Sequence, residues 1–176
     1  YLFNSDPAMM WAQVLPKMVP ANSPVEDVKR IIGLIAPYMT GIAAAGAVFS
    51  MLLGLFLGRW WQSLLYNPGG FRQEFLSLRT EPRLAMISLA IIGIAMLSSG
   101  AVSQIAWNTA IIMFVLYTFI GIAVLHAVFS GMKIGQYAVA MFYITMFLIP
   151  YSMIPVALVG FSDTWLDLRK RKLNQT

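Results

Sequence analysis

His126 is the only histidine of the chain, and it stands in the apolar stretch GIAVLHAVFSGMKIG. An ionisable group at membrane depth is a functional candidate by default. Such an imidazole suits proton or ligand handling, or a hydrogen bond to a neighbouring helix near the interface. A lone histidine without carboxylate or cysteine partners does not make a metal site. The sequence contains no cysteine, which excludes disulfides, thiolate metal sites, haem attachment and cysteine nucleophiles. No nucleophile is paired with a base on a shared helical face. The residues therefore point away from an enzyme, and to neither a metal nor a cofactor.

Other polar and aromatic side chains are spread through the apolar runs: Gln104, Asn108, Tyr117, Thr118, Tyr143, Thr145, Tyr151 and Ser152. Of these, Gln104, Asn108, Tyr117, Tyr143 and Tyr151 join His126 as the candidate lining of a polar cavity for a small solute. The apolar runs contain no Asp, Glu, Lys or Arg, so a proton-driven pump is not expected from this chain alone. A carrier would borrow its energy, since no phosphate-binding loop is present. The alternative is a structural or accessory subunit of a membrane complex.

These residues must be positioned by membrane helices. The chain is 59% hydrophobic and 11% charged, with a mean hydropathy of +0.74. A soluble globular chain carries about 25% charged residues, so much of this surface must face lipid. The expected fold is all-α, a polytopic transmembrane bundle with amphipathic interfacial helices. The net charge of +5 lies almost wholly outside the apolar runs, as suits contact with a membrane surface. Nucleic acid is not an expected partner, because no basic and aromatic run is long enough to track a phosphate backbone. The first residue is Tyr1, and no signal-peptide pattern opens the chain. That reads as a processed or partial product with further spans upstream.

Residues 1–22 hold Pro7, Pro16 and Pro20 around AMMWAQVL, an interfacial or flexible lead-in. Ser23, Pro24 and Glu26 form a capping box, with Asp27 adding favourable charge at the same helix end. Four spans follow within a transmembrane domain of residues 23–161, near 35–57, 84–101, 106–129 and 137–161. The first is about 34 Å long at 1.5 Å per residue, with a kink expected at Pro37. Within it Gly46, Ser50, Gly54 and Gly58 recur every four residues, a small-residue stripe suited to close helix packing. Pro150 and Pro155 interrupt the last. Residues 162–176 read as a basic amphipathic tail.

Between the first two spans lies GRWWQSLLYNPGGFRQEFLSLR, the longest polar-aromatic passage between long apolar runs. Arg59, Trp60 and Trp61 suit an interface anchor. Asn67, Pro68, Gly69 and Gly70 stop the helix and turn the chain. Phe71, Phe75 and Leu78 then share one side of a short amphipathic helix that also carries Arg72 and Glu74, with Arg79 just beyond. These loop residues are candidate interface positions for lipid and partner subunits.

Arg59, Arg72, Arg79 and Arg83 concentrate in that loop, and Lys133 returns to the same side after two spans. The positive-inside rule puts the loop in the cytoplasm. A full crossing by 137–161 would then carry Arg169–Lys172 outside, against the same rule. A re-entrant hairpin turning at IPYSMIP would keep the tail inside, provided that it is buried among neighbours. The full span is the primary expectation and the hairpin the alternative.

At RWWQSLLYNPGGFRQEF, at GIAVLHAVFSGMKIG and at the closing GFSDTWLDLRKR, the chain resembles the YybS-like family of uncharacterised bacterial membrane proteins. The resemblance runs over nearly the whole chain and corresponds to the family's C-terminal part. It implies residence in a bacterial inner membrane. It also implies a fold similar to the substrate-binding S components of energy-coupling-factor vitamin transporters, and so a solute-binding subunit that works with other membrane proteins. It supplies no catalytic or ligand residues.

Overall fold

The computed structural model describes residues 6–20, 24–130 and 134–169. Every regular element among them is helical: α1 (Pro7–Val14), α2 (Val25–Ile35), α3 (Met39–Tyr66), α4 (Gly70–Leu76), α5 (Pro82–Leu97), α6 (Gly100–Ser130), α7 (Gly135–Leu148) and α8 (Met153–Leu166). The all-α architecture is the one that the composition demands. Two helical runs, Val25–Tyr66 and Gly100–Ser130, are long and apolar enough to cross a membrane, while Pro82–Leu97 and Gly135–Leu148 are apolar but shorter. Their outer faces expose large apolar side chains such as Leu55, Met86 and Phe147, a surface suited to hydrocarbon rather than water. Ser23, Lys133 and Lys170–Lys172, on which parts of the capping, orientation and tail readings rest, lie outside the described residues.

The chain divides into two compact units, Tyr1–Val48 with Ser88–Ile112 and Phe49–Ile87 with Met113–Thr176. In the first, Asp6 caps α1 by accepting from the Ala8 N–H at 2.9 Å, and Trp11 Nε1 donates to Thr40 Oγ1 at 3.0 Å. The lead-in is thus helical over Pro7–Val14 and tied to the start of α3. A 3-10 turn over Ala36–Tyr38 interrupts the run from α2 to α3. Pro37 causes it, because its ring clashes with the preceding turn and it offers no N–H.

The break is held from α6. Asn108 Nδ2 donates to Pro37 O at 2.8 Å and to Gln104 O at 2.7 Å, while Asn108 Oδ1 accepts from the Gly41 N–H. An unbroken helix would pair Pro37 O with Gly41 N–H; here the amide of Asn108 engages both. The approach is so close that a Cβ on Gly41 would stand 2.6 Å from Asn108 Cα. Elsewhere in this unit buried alanines, Ala36, Ala45, Ala95 and Ala106, line the packed faces. Gly100 takes φ 64°, the left-handed geometry that lets the short link between α5 and α6 turn.

In the second unit Asn67–Gly69 makes the expected turn, with Gly69 at φ 89° and Gly70 N–H donating to Asn67 O at 2.9 Å. Helices α6 and α8 then meet backbone to backbone. A Cβ on Gly160 would strike Tyr117 O and the Gly121 N, and one on Gly121 would strike Val156 O. Around this crossing Tyr117, Ile120, Val124 and Ala157 form the core, and Tyr117 packs edge-on against Phe161 at 5.1 Å.

The fourth apolar run, 137–161, is interrupted at the first of its two expected prolines. Ile149 leaves helical geometry (φ −124°, ψ 87°) and a 3-10 turn follows over Pro150–Ser152. The resulting helices have 14 residues each, about 21 Å apiece against a hydrocarbon core of about 30 Å. Pro150 opens the 3-10 turn, and Pro155 is accommodated in the first turn of α8, where its missing N–H costs nothing.

Beyond α8 the chain is clasped to the segment between α4 and α5. The Arg169 guanidinium donates to Leu76 O and Leu78 O. It also pairs with Asp163 at 3.2 Å, the two side chains being 10% and 2% exposed. Arg79 pairs with Asp167, and Thr80 shares a 2.8 Å hydrogen bond with Thr164. Burial lowers the Arg169 pKa and Asp163 draws it back up, and a guanidinium stays charged under such opposing pulls.

Two substitutions separate glycines that are needed for close approach from glycines on an open face. Gly160→Leu is expected to lower stability by about 1–3 kcal/mol through overpacking. Gly54→Leu, where a Cβ meets nothing within 4 Å, is expected to change it by less than about 0.5 kcal/mol. Unfolding of the detergent-purified variants measures both.

Candidate functional site

Helices α3, α4, α6 and α7 of the second unit line a cavity of about 1050 Å³, at the upper end of the range for small-molecule sites. Its walls are largely rings. Phe56 is the hub, with ring centroids 6.3 Å from Phe71, 5.5 Å from Phe75 and 5.2 Å from Phe119. Phe49 extends the series, 5.3 Å from Phe119. Tilted and edge-to-face pairs of this kind hold an aromatic wall in one arrangement.

Ser63, Thr118, Ser130 and Gln136 also line the cavity, and one polar pair bridges two of its helices. His126 Nε2 and Tyr143 OH share a hydrogen bond of 2.9 Å, the imidazole tautomer deciding which donates. Phe75 stands edge-on to the imidazole at 6.1 Å. Arg72 also lines the cavity and lies near enough for its charge to act on His126. The arrangement offers a large apolar volume with a small hydrogen-bonding and cationic patch.

Of the six positions read as a polar cavity, the structure brings His126 and Tyr143 together in this wall. Gln104 and Asn108 belong to the first unit, where Asn108 is engaged at the Pro37 break. Tyr117 is in the core against Phe161, and Tyr151 is 80% exposed beside the break between α7 and α8. Thr118 lines the cavity while its hydroxyl donates back to Phe114 O. The signal missed was the phenylalanines: Phe71 and Phe75 were legible as one face, but Phe49, Phe56 and Phe119 carried no mark distinguishing them from lipid-facing neighbours.

The loop residues separate by role. Trp60 lines the cavity, whereas Trp61 is 62% exposed. Arg59 Nε donates to Glu74 Oε2 at 2.6 Å, a second contact makes the pair bidentate, and Nη1 donates to Gln62. The hydrogen bond from Arg59 holds the Glu74 carboxyl below its ordinary pKa. Asn67, Pro68, Gly69 and Gly70 form the turn, and Arg79 belongs to the clasp with Asp167. Gly46, Ser50, Gly54 and Gly58 are exposed, and a Cβ on any of the three glycines would meet nothing within 4 Å.

A helical chain with a hydrocarbon-suited exterior and an aromatic-lined cavity defines a helical membrane protein. The chain belongs to the family described as predicted membrane protein (DUF2232), whose model matches residues 19–164. No curated protein and no solved structure matches it.

The Glu74 shift sets a pH response. Its depressed pKa means that the pair's contribution is present at neutral pH and lost as the pH falls through the folded-state value, below the ordinary glutamate value of about 4.3. The thermal midpoint in detergent is therefore expected to drop on such acidification, with a shallower drop in Glu74→Gln.

Proposed function

We propose that the protein is a membrane-embedded binding subunit for a small solute, which it accommodates in the aromatic cavity, and that it draws on partner subunits for energy. The observation that carries this reading is the cavity itself, about 1050 Å³ with a ring-lined wall and a single His126–Tyr143 hydrogen-bonding pair. The resemblance to the YybS-like family, and through it to S components of energy-coupling-factor transporters, supports the same reading. So does the absence from the sequence of a phosphate-binding loop. We read the chain as non-catalytic and as a multi-pass protein of a bacterial inner membrane.

In this reading the 58–83 loop faces the cytoplasm by its arginine content, and α7 and α8 form a re-entrant hairpin. The clasp supports the hairpin, because Arg169 reaches the carbonyls of Leu76 and Leu78 and so keeps company with the loop. The lengths of α7 and α8, each about two-thirds of a hydrocarbon crossing, support it as well, and the exposed turn at Tyr151 then requires a partner subunit to cover it. The exposed small-residue stripe Gly46–Gly58 favours a second reading, an accessory subunit docked through α3.

Affinity purification from native membranes in mild detergent, with mass spectrometry of proteins and small molecules, tests the function. A co-purifying solute that is lost in His126→Ala, together with an ATPase module, is the expected result. A stable complex without either, released by Gly54→Leu, would replace it with the accessory reading. The cysteine-free sequence makes the topology directly measurable. Ser77→Cys and Asn174→Cys are both expected to resist an impermeant maleimide applied from outside and to react after lysis. Labelling of Asn174→Cys from outside would instead restore the full span.

A further inference from the structure

Among the described residues that line the cavity, Arg72 carries the one fixed charge and none is a carboxylate. The nearest carboxylate in sequence, Glu74, is held by Arg59, and no described carboxylate pairs with Arg72. Arg72 is thus an exposed cation at the edge of an apolar chamber with no described carboxylate paired to it. Arg72 sits on α4, the short helix next to the arginine-rich turn, while the ring wall runs from Phe56 to Phe49 along α3, about 10 Å deeper at helical rise. The His126–Tyr143 pair lines the same cavity, and most of the remaining wall is rings and aliphatic side chains.

From this charge pattern we infer that the cavity takes a single-chain amphipathic anion, its carboxylate or phosphate head at Arg72 and its chain along the phenylalanine wall. The inference rests on the cavity being a ligand site and adds the class of ligand. A guanidinium fork matches the planar or tetrahedral oxygens of such heads better than a point charge does. His126 and Tyr143 supply further hydrogen bonds to the same oxygens. Burying the chain against Phe56, Phe119 and Phe49 exchanges a loose lipid contact for a shaped one. A chain with a cationic head meets Arg72 as a like charge, a repulsion that ring faces offset only in part.

Binding of palmitate, hexadecyl phosphate and hexadecyltrimethylammonium to the full chain in phosphatidylcholine nanodiscs tests the inference. One equivalent of at least one anion is expected, at least tenfold tighter than the cation of equal chain length. Arg72→Gln is expected to abolish that preference and Arg72→Lys to retain part of it. Met146→Trp, which fills the chamber from α7, is expected to weaken anion and cation alike. Equal binding of anion and cation, or an anion preference unchanged in Arg72→Gln, overturns the head-group inference. If Met146→Trp still blocks binding in that case, the cavity reading survives. If neither substitution matters, both fall. Displacement of the bound anion on replacing phosphatidylcholine with phosphatidylglycerol would show a diacyl phospholipid to be the occupant and overturn the single-chain assignment.

Discussion

The second unit depends on one contact that admits no side chain: the crossing of α6 and α8 at Gly121 and Gly160. Helices in lipid lack a hydrophobic drive towards each other, so they must gain from close packing. Here backbone meets backbone, with Tyr117 and Phe161 closing over the contact on one flank. With α8 seated there, Asp163, Thr164 and Asp167 stand where they meet Arg79, Thr80 and Arg169. The clasp is therefore a downstream result of two absent methyl groups. Its Arg169–Asp163 pair is deeply buried, and such a pair survives because the guanidinium also donates to the carbonyls of Leu76 and Leu78.

The cavity has the opposite character. Large rings stand between the helices that line it. Phe56 touches three other rings, holding the wall open where a smaller side chain would let it collapse. Tight packing at α6–α8 and loose packing at α3–α6 of the same unit are complementary uses of the one helix that both share. Residues of α6 face the glycine crossing through Tyr117 and Gly121 and the chamber through Phe119, Ile122 and His126.

What could be read from the residues was local. Asn67–Gly70 declares a turn because proline and glycine act on their own backbone, and Pro37 declares a break for the same reason. The all-α membrane class follows from composition. The role of Asn108 could not be read, because its partners Pro37 and Gly41 lie 71 and 67 residues away and nothing in the sequence pairs those helices. Nor could the fates of Tyr117 and Tyr143 be separated, one in the core and one in the cavity wall. Helices that are apolar on every side carry no period to say which side faces a neighbour. The regular stripe Gly46–Gly58 drew attention by its spacing, while the glycines that make close contacts, Gly41, Gly121 and Gly160, have no such rhythm.

The clasp also bears on the order in which the protein is made. The carbonyls of Leu76 and Leu78 receive their donor from Arg169, 93 and 91 residues later. Contacts so distant along the chain close late, after the intervening elements have been synthesised. Throughout that interval the segment between α4 and α5 is exposed to solvent, lipid headgroups and any insertion factor attending it. Closure by Arg169 is then a mark of completion. A chain that has failed to seat α8 leaves the carbonyls of Leu76 and Leu78 without this donor, and a finished one does not.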